Sequence, residues 1–376
     1  MRESAELRMT PGSRSNGNGN GNCHEMPASI VATATAVPPH LITAEDVKKH
    51  IQSIFHLEGS RLDGMFSIVD NSHIKQRHTI FPLDYTVQPR PLTQTSLEYQ
   101  EHAIRLGKQV AEDCLARAGM KPEEIDWIIT VSCTGYMIPS LDAYLIESMG
   151  FRRDVRRLPI TEMGCAAGAS ALARAHDFLQ CGAKKNILVI AVELPSLTFQ
   201  RRNFTPANLI SSILFGDGAG AVILTSDERT GCMRVVGAEP FLMPNSLDAM
   251  GFDLKDEGFH IVLSKDVPEL LRGGIRGVVE KFLNRFHLGT EDLSAYLLHP
   301  GGRKLLDYME TELGICKCET QPSWDILSEY GNLSSASVLF VLHEWVTKRT
   351  MEAGKYGMMA AFGPGFTTEM LLMRWA

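Results

Sequence analysis

From about Ile30 onward the chain alternates two patterns of apolar and polar positions. Between Leu97 and Gly119, Ile104, Ala111, Cys114, Leu115 and Ala118 recur near one helical face, which predicts a helix that Gly119 ends. DWIITVS (126–132) is a short continuous apolar run with β-branched residues. That is the signature of a strand buried on both faces, as in a parallel sheet. KNILVIAVE (185–193) and GAVILT (220–225) read the same way. Alternating helices and buried strands predict an α/β fold.

The second half repeats this layout. Residues 269–286 read as one helix, followed by Glu291-Asp292 and the strand 293–298. Laying EEIDWIITV over EDLSAYLLH pairs Val131 with His299. Val131 and Cys165 are then 34 residues apart, His299 and Asn332 33. The next strand begins 20 residues after Cys165, at Lys185, and 23 after Asn332, at Lys355. A duplicated α/β unit follows, with a tail over 1–26 and halves over 27–228 and 229–376. The Gly/Asn/Ser-rich tail has too few apolar side chains to offset the entropy of ordering it.

Composition narrows the function. The chain has 376 residues and a net charge of −7, against the basic balance usual for a nucleic-acid binder. No run of 18 apolar residues predicts a membrane span. Eight scattered cysteines and a start without an apolar leader fit reduced thiols in a cytoplasmic protein. The close pair Cys316-Lys317-Cys318 lacks zinc-finger spacing, so no metal site is expected.

One constellation carries chemistry. Cys165, in MGCAAGAS, opens a helix predicted to run to Gln180, where unpaired N–H groups and the helix dipole favour a thiolate. A free cysteine is equally at home as a buried structural residue. Its counterpart in the repeat is Asn332, in EYGNLSSASVLF, with Ser334 and Ser335 as candidate helix caps. His299 ends a buried strand at its carboxyl edge, where ligands bind in open α/β sheets. A pseudo-twofold axis brings the three together, and Cys, His and Asn so placed predict acyl transfer without a metal or redox cofactor.

MGCAAG, LFGDGAGAV from Leu214, LLHPGG, EYGNLSSASVLF and AFGPGFTTEM from Ala361 resemble, in this order, blocks of the type III polyketide synthases, or chalcone-synthase-like enzymes. The residues 132–151 and 193–199 are most similar to the microbial branch with the alkylresorcinol, alkylpyrone and tetrahydroxynaphthalene synthases. The resemblance implies a thiolase-like duplicated five-layered αβαβα fold and a homodimer. It also implies iterative decarboxylative condensation of malonyl-CoA onto a starter acyl-CoA, followed by ring closure. Cys165 then holds the chain, while His299 and Asn332 stabilise the enolate and His299 keeps the sulfur ionised. Phe215 matches a gatekeeping phenylalanine. Cys133, Thr134, Glu193, Thr198 and Ser334 match cavity positions, with Ser334 and a water as expected partners of the Glu193 carboxylate.

Several residues depart from the plant pattern. Ile261 replaces a second gatekeeping phenylalanine, Phe252 a glycine and Pro195 a threonine. In the segment where plant enzymes hold the CoA phosphates, only Lys75 and Arg77 are basic, so Arg303 and Lys304 are the alternative candidates. Ile261 and the microbial likeness point to a medium- or long-chain fatty acyl starter and alkylpyrone or alkylresorcinol products. A tetrahydroxynaphthalene synthase using malonyl-CoA alone is the second reading, and an initiating ketoacyl synthase of fatty-acid synthesis the third.

Overall fold

The computed structural model describes residues 26–55, 58–181, 185–203, 205–264, 267–272, 274–349 and 352–376. The predicted tail, save Met26, lies outside the described residues. The strands are β1 (Ser29–Ala36), β2 (His40–Thr43), β3 (Gln76–Thr79), β4 (Trp127–Val131), β5 (Arg156–Ile160), β6 (Asn186–Glu193) and β7 (Gly218–Thr225). They continue with β8 (Met233–Leu242), β9 (Met250–Lys255), β10 (Gly258–Leu263), β11 (Leu293–Leu298), β12 (Tyr356–Gly363) and β13 (Thr367–Trp375).

Nine of these form one sheet, in the order β11-β12-β13-β8-β1-β7-β6-β4-β5. It is two sheets joined at a single residue pair, Ser29 with Arg234. The halves share one topology. β4 runs parallel to β6, which is antiparallel to β7, and β11 runs parallel to β12, which is antiparallel to β13. The strand at 220–225, predicted as parallel-type, is therefore antiparallel. Its unbroken apolar run reflects cover by helices on both faces, which a mixed sheet demands as fully as a parallel one.

Two helices, Ala167–Leu179 and Ser337–Lys348, form the middle layer and pack against strands of both half-sheets. Each follows a single 3₁₀ turn, Gly164–Ala166 in one half and Ser334–Ala336 in the other. Outside lie Leu92–Ala118 on one sheet, and Ile275–Asn284 and Lys317–Tyr330 on the other. The result is the five-layered thiolase-like αβαβα arrangement, with one apolar core in the middle and one beneath each outer layer. Alanines 167, 169, 171 and 175 keep the middle layer thin. Gly168 is required there, because a Cβ would stand 2.1 Å from the Ser335 carbonyl oxygen in the turn that opens the other central helix.

Gly119 ends its helix, as predicted, and does so in the left-handed conformation, with φ of +64°. The single helix expected over 269–286 is two, Val267–Arg272 and Ile275–Asn284, interrupted at Gly274, where helical periodicity outlasts helical backbone.

Candidate active site

The two central helix starts meet at one point. Cys165 lies in the 3₁₀ turn that opens the first, and its Sγ is 3.5 Å from Ser334 Oγ, in the equivalent turn of the second. The Asn332 carboxamide hydrogen-bonds the same sulfur. Asn332 Nδ2 also donates to the Gly301 carbonyl, at 3.3 Å, while its Oδ1 accepts from Ser334 N at 2.8 Å and Ser337 Oγ at 3.3 Å. Gly301 in turn donates its N–H to His299 O at 2.8 Å and lies against the imidazole, so closely that a Cβ there would be 3.2 Å from Cδ2. One contiguous set of contacts thus runs from Cys165 through Asn332 and Gly301 to His299.

Backbone geometry holds this set in place. Ser334 has φ of +50°, a left-handed conformation costing an L-residue about 1–2 kcal/mol. The Asn332 side chain offsets this by accepting its N–H. Neither Ser334 nor Ser335 caps the helix, as had been expected; their hydroxyls turn to Cys133, Cys165 and Glu193, and Ser337 Oγ instead takes the Leu333 N–H at 2.7 Å. Phe215 forms a parallel bridge with Asn332, with Asn332 N donating to Leu214 O at 2.9 Å and Gly216 N to Asn332 O at 3.1 Å.

The electrostatics differ from the expected standing thiolate. Burial pushes the Cys165 thiol up to about 11, opposed by hydrogen bonds from Ser334 and Asn332. Burial also drives His299 down to about 3, and its Nδ1 has no hydrogen-bond partner among the described residues. Each group ionised alone is disfavoured because a buried charge loses its hydration. Both groups therefore rest neutral, the sulfur as a thiol and the imidazole without a second proton.

A cavity opens from this point. Its wall includes Cys133, Thr134, Cys165, Thr198, Phe215, Phe252, Ile261 and Ser334, eight of the residues expected there. Pro195 lines it too. Glu193 does not: it is fully buried behind the wall, at the end of β6. Its carboxylate accepts from Thr134 Oγ1 at 2.7 Å, Cys133 N at 3.1 Å and the Ser335 hydroxyl, rather than from Ser334 as expected. Burial nevertheless raises its pKa. Cys133 Sγ lies 3.2 Å from Ser334 Oγ, so the two cysteines flank one hydroxyl.

The basic candidates fall outside the cavity or serve structure. Arg303 and Lys304 are exposed at the start of helix Arg303–Leu313, where Arg303 contacts Asp307 at 3.4 Å and the Asn71 carbonyl at 3.4 Å. Arg77 is buried, donating to the carbonyls of Ser212 and Ile213, and Lys75 pairs with Glu329 at 3.8 Å. Lys75, Arg303 and Lys317 all bear electrostatically on His73, so they share one surface.

Sequence reasoning missed a second arm of the cavity, lined by Ile42, Val47, Ile51, Leu83, Val87 and Phe199. Apart from Phe199, which ends the 193–199 stretch, no motif marks these residues; they come from separate elements and carry only ordinary core side chains. Among the described residues no cluster of His, Cys, Asp and Glu could hold a metal ion, and no helix is long and apolar enough to cross a membrane.

Comparison with known proteins agrees with this geometry. Residues 15–228 match the N-terminal domain of the chalcone and stilbene synthases and residues 234–376 the C-terminal domain. The chain is 33% identical to a 1,3,6,8-tetrahydroxynaphthalene synthase of Streptomyces coelicolor over 348 residues, 93% of this chain and 92% of that protein. It is 32% identical to a phloroglucinol synthase of Pseudomonas fluorescens over 339 residues, 90% of this chain and 96% of the other. The crystal structure of the Streptomyces coelicolor enzyme, a bacterial type III polyketide synthase, superposes with a TM-score of 0.89, covering 93% of this chain and 99% of that one. A polyketide synthase of the brown alga Ectocarpus siliculosus follows at 0.86, with 28% identity and coverage of 93% and 98%.

Proposed function

The chain belongs to the chalcone and stilbene synthase family, the type III polyketide synthases, and on that footing we propose that it extends a medium- or long-chain fatty acyl starter and closes the product to an alkylpyrone or alkylresorcinol. It is an acyltransferase that condenses malonyl-CoA. The observation that carries the finer reading is the apolar arm past Ile42, Val47, Ile51, Leu83 and Val87, which shares one cavity with Cys165. Burying an alkyl chain there contributes about 0.8 kcal/mol per methylene.

In this reading His299 takes the proton of Cys165, the sulfur attacks the starter thioester, and the CoA sulfur leaves with that proton, returning the imidazole to its neutral form. Malonyl-CoA then places its thioester carbonyl against the Asn332 carboxamide and the His299 imidazole. Carbon dioxide leaves and the enolate oxygen gathers the charge those donors offset. The enolate carbon attacks the acyl carbonyl, and the Cys165 thiolate departs, ready to take the longer chain back. Preorganised donors of this kind are each worth about 10²–10³ in rate.

Phe215 serves as the gate toward the CoA arm in this reading; its place in the cavity wall and its backbone pairing with Asn332 support that role. Arg303, with Lys304, Lys75 and Lys317 nearby, holds the CoA phosphates. The halves are 27–228 and 229–376, in keeping with the one-pair joint between the half-sheets. The enzyme works as a homodimer in the cytoplasm; exposed Tyr136 and Ile138, just beyond Thr134, supply apolar surface for the interface. Light scattering of the purified protein tests the dimer.

The names of the two bacterial relatives favour a second reading, in which malonyl-CoA is both starter and extender and the product is a naphthalene or a smaller phenol. Mass spectrometry of products from malonyl-CoA with and without a panel of acyl-CoAs decides. Alkylated pyrones or resorcinols support the first reading. Products unchanged by any acyl-CoA overturn it. A strict need for malonyl-carrier protein, with a single extension, indicates the ketoacyl synthase instead.

A further inference from the structure

Far from Cys165 in sequence, the pair Cys316 and Cys318 has no part in the chemistry above. Both are exposed and free. Cys316 is the N-cap of helix Lys317–Tyr330, and its Sγ accepts from Cys318 N at 3.3 Å. The Cys318 thiol points at the same sulfur, with 2.6 Å between the two Sγ atoms. Glu319 completes the cap by accepting the Cys316 N–H at 2.7 Å, so the backbone of the pair is held from both ends.

We propose that Cys316 and Cys318 are a redox-active dithiol that closes to an intrachain disulfide and thereby controls the CoA-binding surface beside it. Cys316 is the attacking sulfur, because it is the acceptor of both the N–H and the thiol of Cys318. Its thiolate attacks a small-molecule disulfide of the glutathione class and expels one thiolate. The Cys318 sulfur then displaces the second, leaving one S–S bond in the protein. The two electrons and two protons of the dithiol pass to the small molecule, which leaves as two thiols. The Cys318 thiol is held above its ordinary value by donating to Cys316, so it keeps its proton until the mixed disulfide forms and that acceptor is gone.

The residue between the cysteines gives closure a consequence. Lys317 places Nζ 3.9 Å from the centroid of Trp324, which packs edge-on against His73 at 4.8 Å. Lys75 follows His73 by two residues and Arg303 reaches the Asn71 carbonyl at 3.4 Å, so three cations border this ring pair. Ring closure across Cys316-Lys317-Cys318 removes the sulfur cap and reorients Lys317 within this surface. This step rests on the reading of that surface as the holder of the CoA phosphates.

The test uses the full chain equilibrated in reduced and oxidised glutathione, alkylated, digested and weighed. The expected result is one peptide carrying both cysteines, lighter by two hydrogens, restored by dithiothreitol and absent from C316S/C318S. Alongside it, KM for malonyl-CoA, followed by CoA release, rises severalfold on oxidation with kcat little changed, and the double variant does not respond. Two free thiols, or two separate glutathione adducts, overturn the proposal, as does a closed disulfide with unchanged KM. If Lys317→Ala and Arg303→Ala leave KM unaltered in the reduced enzyme, it is the phosphate reading that fails, and the mass measurement still judges the dithiol.

Discussion

Phe252 and Ile261 are directly opposed across the β9–β10 hairpin, and both line the cavity that contains Cys165. Cross-strand partners have Cβ atoms about 4.5–5.5 Å apart, so a change in one is felt at the other. The two departures from the plant pattern are therefore one feature, a large residue facing a smaller one. Ile261→Phe narrows this wall; the expected result is a loss of roughly 10–200-fold in kcat/KM for the longest acyl-CoA accepted, with short starters little affected. Product masses across an acyl-CoA series check it. Unaltered chain-length preference would remove this hairpin from starter selection.

Cys165→Ala abolishes condensation. Asn332→Ala is expected to cut malonyl-CoA decarboxylation by about 10²–10³ while acyl loading of Cys165, read by intact mass, persists. Because Asn332 also accepts the Ser334 N–H, the variant's melting temperature accompanies the assay. Equal loss of both steps in a folded variant contradicts the division of roles.

The pH dependence of thiol alkylation separates a paired sulfur from a solitary one. Burial, reinforced by the Glu193 carboxylate and only partly opposed by Ser334 and Asn332, holds the Cys165 thiol up to about 11, so without an imidazole to receive its proton the sulfur stays protonated at neutral pH. Iodoacetamide labels Cys165 at pH 7 in the native enzyme. In His299→Ala that rate falls and climbs with pH into the alkaline range. Identical profiles for the two proteins refute the proton transfer.

Glu369 offers a stability test away from the site. It is 2% exposed, its Oε2 has no partner among the described residues, and burial raises its pKa to about 7 despite Arg174 and Ser170. The unfolded chain releases this proton near 4.5, the folded one near 7, so folding stability falls as pH rises through that window. The loss is about 3 kcal/mol at most. Glu369→Gln removes this contribution, so its melting temperature between pH 5 and 8 declines less than that of the native protein. Parallel declines would show that Glu369 does not titrate there.

Much was legible before any coordinates. The buried strands at 127–131, 186–193 and 293–298, the helix end at Gly119 and the pairing of Cys165 with Asn332 follow from periodicity and spacing, which depend on local backbone geometry and on a duplication written along the chain. Three kinds of feature were decided only in three dimensions. The partner of Glu193 is Ser335 and not its neighbour Ser334, because a left-handed turn swings adjacent hydroxyls to opposite sides. The apolar arm of the cavity gathers side chains from elements that are remote in sequence, and nothing local distinguishes such residues from core. The ionisation of Cys165 and His299 turns on desolvation, a property of the packed surroundings that helix position and residue type do not encode.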